Sequence, residues 1–93
     1  MHIYNRQYYI QDMEGRKIYN RIAMLRQECS MSRRELADRI GVNHQTIGYL
    51  ERCDYNPSLD LAFRISEIFD LPIETIFSTS PLKPLSELLN QSK

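Results

Sequence analysis

The run Met31-Ser32-Arg33-Arg34-Glu35-Leu36-Ala37-Asp38-Arg39-Ile40-Gly41-Val42-Asn43-His44-Gln45-Thr46-Ile47-Gly48-Tyr49-Leu50-Glu51-Arg52 carries two helix starts separated by one helix stop. Ser32 is placed to cap a helix with its hydroxyl, and Glu35 three residues on completes a capping box. Met31 before the cap and Leu36 at the fourth helical position have the spacing of a hydrophobic staple. Gly41 can take the left-handed backbone conformation that ends this helix near Arg39 or Ile40. Asn43 then caps the next helix, with Val42 and Ile47 again in staple positions and the end near residues 52–54.

The connection Ile40-Gly41-Val42 is so short that the two helices must cross steeply, which is the helix-turn-helix signature. Placing Ile47 and Leu50 inward turns Gln45, Gly48, Tyr49 and Arg52 outward, with His44 on the flank. A merely solvated helix face carries Lys and Glu pairs. This one carries groups able to read the edges of bases.

Helical spacing continues on both sides. Ile18, Ile22, Leu25 and Cys29 lie four, three and four apart, predicting a first helix over residues 17–29 with Cys29 in the core. Ser58 caps a fourth helix whose apolar positions are Leu61, Ala62, Ile65, Ile68 and Phe69. A short fifth helix is expected over residues 72–77, Pro72 suiting a first turn and Leu71, Ile76 and Phe77 closing the core. No strand is expected, so the fold class is all-α, with residues 1–16 an N-terminal arm, 17–78 the helical domain and 79–93 a linker and tail.

The 93 residues fit one domain, and the hydrophobic and charged fractions, 42% and 26%, are those of an ordinary globular chain. Net charge is zero, which argues against a broad electrostatic field for a polyanion. The distribution is uneven: residues 1–50 hold eight Lys/Arg against five Asp/Glu, and residues 51–93 hold four against seven. The cysteines Cys29 and Cys53 lack CxxC spacing and read as apolar thiols of a reducing cytoplasm. No apolar run approaches membrane-spanning length, and residues 1–10 carry no signal-peptide core. With His2 and His44 far apart and no metal-ligand spacing, phosphate loop or nucleophile motif, no catalytic, cofactor or metal site is expected, and no enzyme.

From Ile22 to Phe77 the chain resembles the Cro/repressor-type (XRE) helix-turn-helix family. The residues that carry the likeness are Leu25-Arg26, residues 31–37, Ile40-Gly41-Val42-Asn43, Gln45-Thr46-Ile47, Leu50-Glu51-Arg52, Asn56-Pro57-Ser58-Leu59 and residues 71–77. The resemblance implies a compact five-helix, lambda-repressor-like domain that binds double-stranded DNA with its third helix in the major groove. It places base contacts at His44, Gln45 and Tyr49. Gln45 suits adenine N6 and N7; His44 suits guanine or a phosphate; Tyr49 suits a thymine methyl or a phosphate. It places backbone contacts at Arg33, where Gln is usual, with Arg34, Asn43 and Arg52 assisting. Gly48 is open to two readings, close approach to the groove or simple tolerance. Arg26 and Glu51 stand where related repressors form an ion pair. Cys53 stands where Gly is usual, so the loop over residues 53–56 is expected to depart from the family's shape.

The arm carries Tyr4, Tyr8, Tyr9 and Ile10, and the tail carries Leu82, Leu85, Leu88 and Leu89. These either pack on the monomer or supply a homodimer interface matched to a palindromic operator. The functional expectation is a cytoplasmic transcription regulator, a repressor acting on an operator. The alternative is an antitoxin or protein-binding module paired with a partner protein.

Overall fold

Ser32, Asn43 and Ser58 each accept a backbone N–H two or three residues ahead, and these caps set three helix starts in the computed structural model, which describes residues 16–83. In chain order the elements are β1 (Tyr19–Asn20), α1 (Ile22–Glu28), α2 (Arg33–Ile40), α3 (His44–Glu51), α4 (Leu59–Phe69), α5 (Ile73–Ile76) and β2 (Phe77–Ser78). The five helices surround a core in which Ile22, Leu36, Ile47, Leu50, Ile65 and Ile76 are fully buried. Met31 and Leu36, the expected staple, are both buried there.

Two expectations at the edges are corrected. The first helix begins five residues later than its periodicity suggested, and a small strand pair replaces its first turn. Tyr19 pairs with Ser78 and Asn20 with Phe77, antiparallel. Asn20 explains the change: its Oδ1 accepts from Ile22 N at 3.0 Å and its Nδ2 donates to Leu50 O at 2.7 Å. That places a cap-like acceptor at Asn20 and leaves the preceding residues extended. Arg21 holds the same junction, donating from N to Ile76 O and from Nε to Thr75 O, both at 2.9 Å. Ile18 packs against the core from the extended segment. Cys29 is exposed rather than in the core, at the C-cap of α1, which stops at Glu28.

The capping box is half formed. Ser32 Oγ accepts from Glu35 N at 2.9 Å, but the Glu35 carboxylate accepts from Arg39 at 2.9 Å rather than reaching back to the cap. Pro72 is the N-cap of α5, one position before its first residue.

Four helices end alike. Ser30, Gly41, Cys53 and Asp70 adopt φ of 53°, 77°, 61° and 54°. In each case the next N–H reaches back to a carbonyl in the helix's last turn: Met31 to Arg26, Val42 to Ala37, Asp54 to Tyr49 and Leu71 to Ser66. This is the Schellman stop, in which a left-handed residue satisfies orphan carbonyls. After α2 the stop also receives a cation, Arg64 Nη1 donating to Ile40 O at 2.9 Å.

Cys53 therefore follows the turn that a glycine would favour. A side chain in that conformation costs roughly 1–2 kcal/mol, part of which glycine's extra freedom in the unfolded chain takes back. Cys53→Gly is expected to raise stability by up to about 1 kcal/mol, a few degrees of Tm for a domain of this size. A lower Tm in thermal unfolding would contradict the strain assigned to this turn.

Candidate functional site

α2 and α3 cross over the short turn at Gly41, and their arrangement brings the first residue of α2 beside the outward face of α3. Arg33, His44, Gln45, Gly48, Tyr49 and Arg52 line one shallow depression of about 250 Å³. All six come from the eight positions expected to contact a ligand. Of the remaining two, Arg34 is exposed and has no ion-pair partner among the described residues. Asn43 is exposed, with its Oδ1 committed to Gln45 N at 2.8 Å.

The depression has a polar wall and a cationic rim. His44 and Gln45 open α3 with both side chains exposed, and Tyr49 is half exposed one turn further on. The guanidinium of Arg52 sits 5.1 Å from the Tyr49 ring centroid, and its Nε donates to Asp54 Oδ2 at 3.0 Å. Asp54 escaped the sequence reading, as an Asp three residues past a helix end carries no signal of its own.

Gly48 faces the same depression but is buried, covered by Arg52, whose Nη1 would be 3.4 Å from a Cβ built at that position. An alanine would fit with ordinary contact, so nothing within the fold demands a glycine here.

Beneath the rim lies a buried carboxylate. The Glu51 side chain is 4% exposed and holds Arg26, Nε to Oε2 at 2.8 Å, as the family resemblance implied. Arg26 also donates from Nη1 to Met31 O at 3.0 Å, tying α1 to the start of α2. The same carboxylate takes a second arginine: Arg33 Nε to Oε1 at 2.9 Å. That second pair has no counterpart in the sequence reading.

A separate face is apolar and open. Leu59 and Phe63, four apart on α4, are 70% and 51% exposed, and Tyr55 in the preceding loop is 45% exposed. An Asp60–Arg64 pair at 2.7 Å runs beside them. Leu82 is half-buried, lining with Met24 a depression near Asn20 and Arg21. The other arm and tail positions singled out above (Tyr4, Tyr8, Tyr9, Ile10, Leu85, Leu88, Leu89) lie outside the described residues. Among the described residues no three His, Cys, Asp or Glu side chains converge as a metal site, and no helix is long and apolar enough to cross a membrane.

Comparison with known proteins places this geometry. A family model described as helix-turn-helix matches residues 22–76. The chain is 47% identical over 57 residues to an uncharacterized HTH-type transcriptional regulator of Archaeoglobus fulgidus, covering 61% of this chain and 80% of that one. It is 40% identical over 58 residues to another of Methanocaldococcus jannaschii, covering 62% and 88%. Among solved structures, a chain from Bacteroides fragilis named as a candidate DNA-binding protein superposes with a TM-score of 0.59 at 24% identity, over 66% of this chain and 98% of that one. At that identity the likeness speaks to the fold alone.

Proposed function

Because the chain belongs to the Cro/repressor-type (XRE) helix-turn-helix family, we propose that it is a transcription regulator that binds double-stranded DNA sequence-specifically, with α3 in the major groove. The observation that carries this reading is the depression around α3. A helix face with exposed His44, Gln45 and Tyr49 offers donors and acceptors to base edges, while Arg33 and Arg52 stand at its rim for phosphates. Arg34 adds a further cation near the start of α2, and the N-terminal N–H groups of that helix favour an anion. Asn43, whose side chain already caps α3, contributes its amide at the same edge. We take repression at an operator as the mode of action, the cytoplasm as its place, and residues 17–78 as the DNA-reading unit.

The chain's neutrality bears on how tightly it binds. Without a broad positive field, the grip on the duplex rests on these few arginines, and one domain alone binds modestly. A homodimer would double the contacts and match two half-sites one helical turn apart. The exposed Leu59, Phe63 and Tyr55 favour such an association, since large apolar and aromatic side chains are enriched at interfaces. Light scattering of the full chain at tens of micromolar is expected to give the mass of a dimer, and Phe63→Glu that of a monomer. A monomeric wild type would overturn the dimer, and a dimer surviving Phe63→Glu would move the interface off α4.

The binding itself is tested by titrating the full chain into a labelled random-sequence duplex at low and moderate salt. Saturable binding that weakens steeply with salt is expected. Absence of binding at low salt would contradict the reading and favour a protein-binding module of the antitoxin kind.

A further inference from the structure

We propose that Glu51 is a positioning residue for DNA binding, holding Arg33 so that its guanidinium presents a ready-made phosphate fork. The inference rests on the DNA-binding reading given above. Arg33 is the first residue of α2, the helix end where a cation is electrostatically disfavoured. It is compensated there by a carboxylate from α3 that is itself almost fully buried. The pair uses only the Nε edge, at 2.9 Å to Oε1. Among the described residues neither Nη nitrogen of Arg33 has an acceptor, and the side chain is 52% exposed at the rim of the α3 depression. A guanidinium anchored by one edge offers the other edge, two parallel N–H donors, in the geometry a phosphate accepts bidentately.

The charges support the same division of labour. Arg26 and Arg33 approach one carboxylate from two sides, so the cluster keeps one net positive charge at the rim. Arg26 is the interior partner, its side chain 13% exposed, and binds both Glu51 oxygens, Nε at 2.8 Å and Nη2 at 3.4 Å. Arg33 is the outer partner. An ion pair as exposed as that on one side adds little to stability. Its consequence is that a long side chain, otherwise free to rotate, is ordered before the duplex arrives, so less freedom is lost on binding. A lysine carries the same charge and cannot do this: its ammonium has no second edge, so it must leave Glu51 to reach the phosphate.

The test compares Arg33→Lys and Arg33→Gln with wild type, reading duplex affinity as a function of salt and thermal unfolding in parallel. Arg33→Gln should lower the salt slope by about one unit, the loss of one phosphate contact. Arg33→Lys should keep the slope yet bind about tenfold more weakly, the difference between a held fork and a loose charge. Both should melt within a few degrees of wild type. Measured at a temperature where calorimetry shows both variants folded, Glu51→Gln should weaken binding in the wild-type background and have no further effect on binding when Arg33 is already Gln. Lysine binding as well as arginine would overturn the positioning role, and an unchanged slope in Arg33→Gln would remove Arg33 from the phosphates altogether. Either result with a wild type that binds duplex leaves the functional reading standing; a wild type that binds none overturns both.

Discussion

Glu51→Ala is expected to lower the stability of the domain by about 3–5 kcal/mol, the cost of stranding a buried charge. The Glu51 side chain is 4% exposed and that of Arg26 is 13% exposed, so removing the carboxylate leaves Arg26 with Met31 O as its one remaining acceptor among the described residues. Arg33 loses its anchor at the same time, but it is half exposed and water replaces the bond there. Most of the loss therefore comes from Arg26, which is the more deeply buried of the two arginines. For a domain of this size, 1 kcal/mol moves the Tm by roughly 4–8 °C, so the variant should melt at least about 12 °C lower or fail to fold. Differential scanning calorimetry decides it. A Tm within about 2 °C of wild type would mean that the pair contributes no more than an exposed one.

The second large effect concerns recognition rather than folding. Gln45 is the second residue of α3, exposed on the depression, with its backbone N–H bound to Asn43 and its side-chain amide free of partners among the described residues. A bidentate amide–adenine contact contributes roughly 1–3 kcal/mol of discrimination. Gln45→Ala should therefore lose about 5- to 150-fold preference at one base-pair position, while its binding to random duplex and its Tm stay near wild type. Competition between the preferred duplex and its single-base variants measures this. Equal loss at every position would instead mark Gln45 as a backbone contact.

Much of this was legible in the sequence because small, local chemistry wrote it. The cap residues Ser32, Asn43 and Ser58 set helix starts wherever they were expected, and the one glycine stop, Gly41, ended α2. The other three stops were harder to see. Ser30, Cys53 and Asp70 adopt the same left-handed turn without being glycine, held there by packing and backbone hydrogen bonds that no local rule reveals. The start of α1 was misplaced for a similar reason. Ile18 kept helical spacing with Ile22, but the long-range bond of Asn20 to Leu50 O, thirty residues away, decides that the segment is extended. Cys29 lies at the C-cap of α1 and is exposed, which helical spacing with Leu25 did not convey.

The site divides the same way. Its outward face follows from placing Ile47 and Leu50 inward, a matter of helical period. Its internal wiring does not. The Arg26–Glu51 pair was legible only through family likeness, and Arg33 joining it depends on how closely the start of α2 passes α3, which spacing along the chain cannot convey. The burial of Gly48 under Arg52 is likewise a tertiary fact.

The central claim is that the exposed face of α3 reads base edges. It is tested most directly by selecting bound sequences from a random duplex pool with the wild-type chain and with Gln45→Ala side by side. The account predicts that the wild type recovers a defined motif and that Gln45→Ala recovers the same motif with one position relaxed. Two identical motifs, or no motif from the wild type, would contradict it.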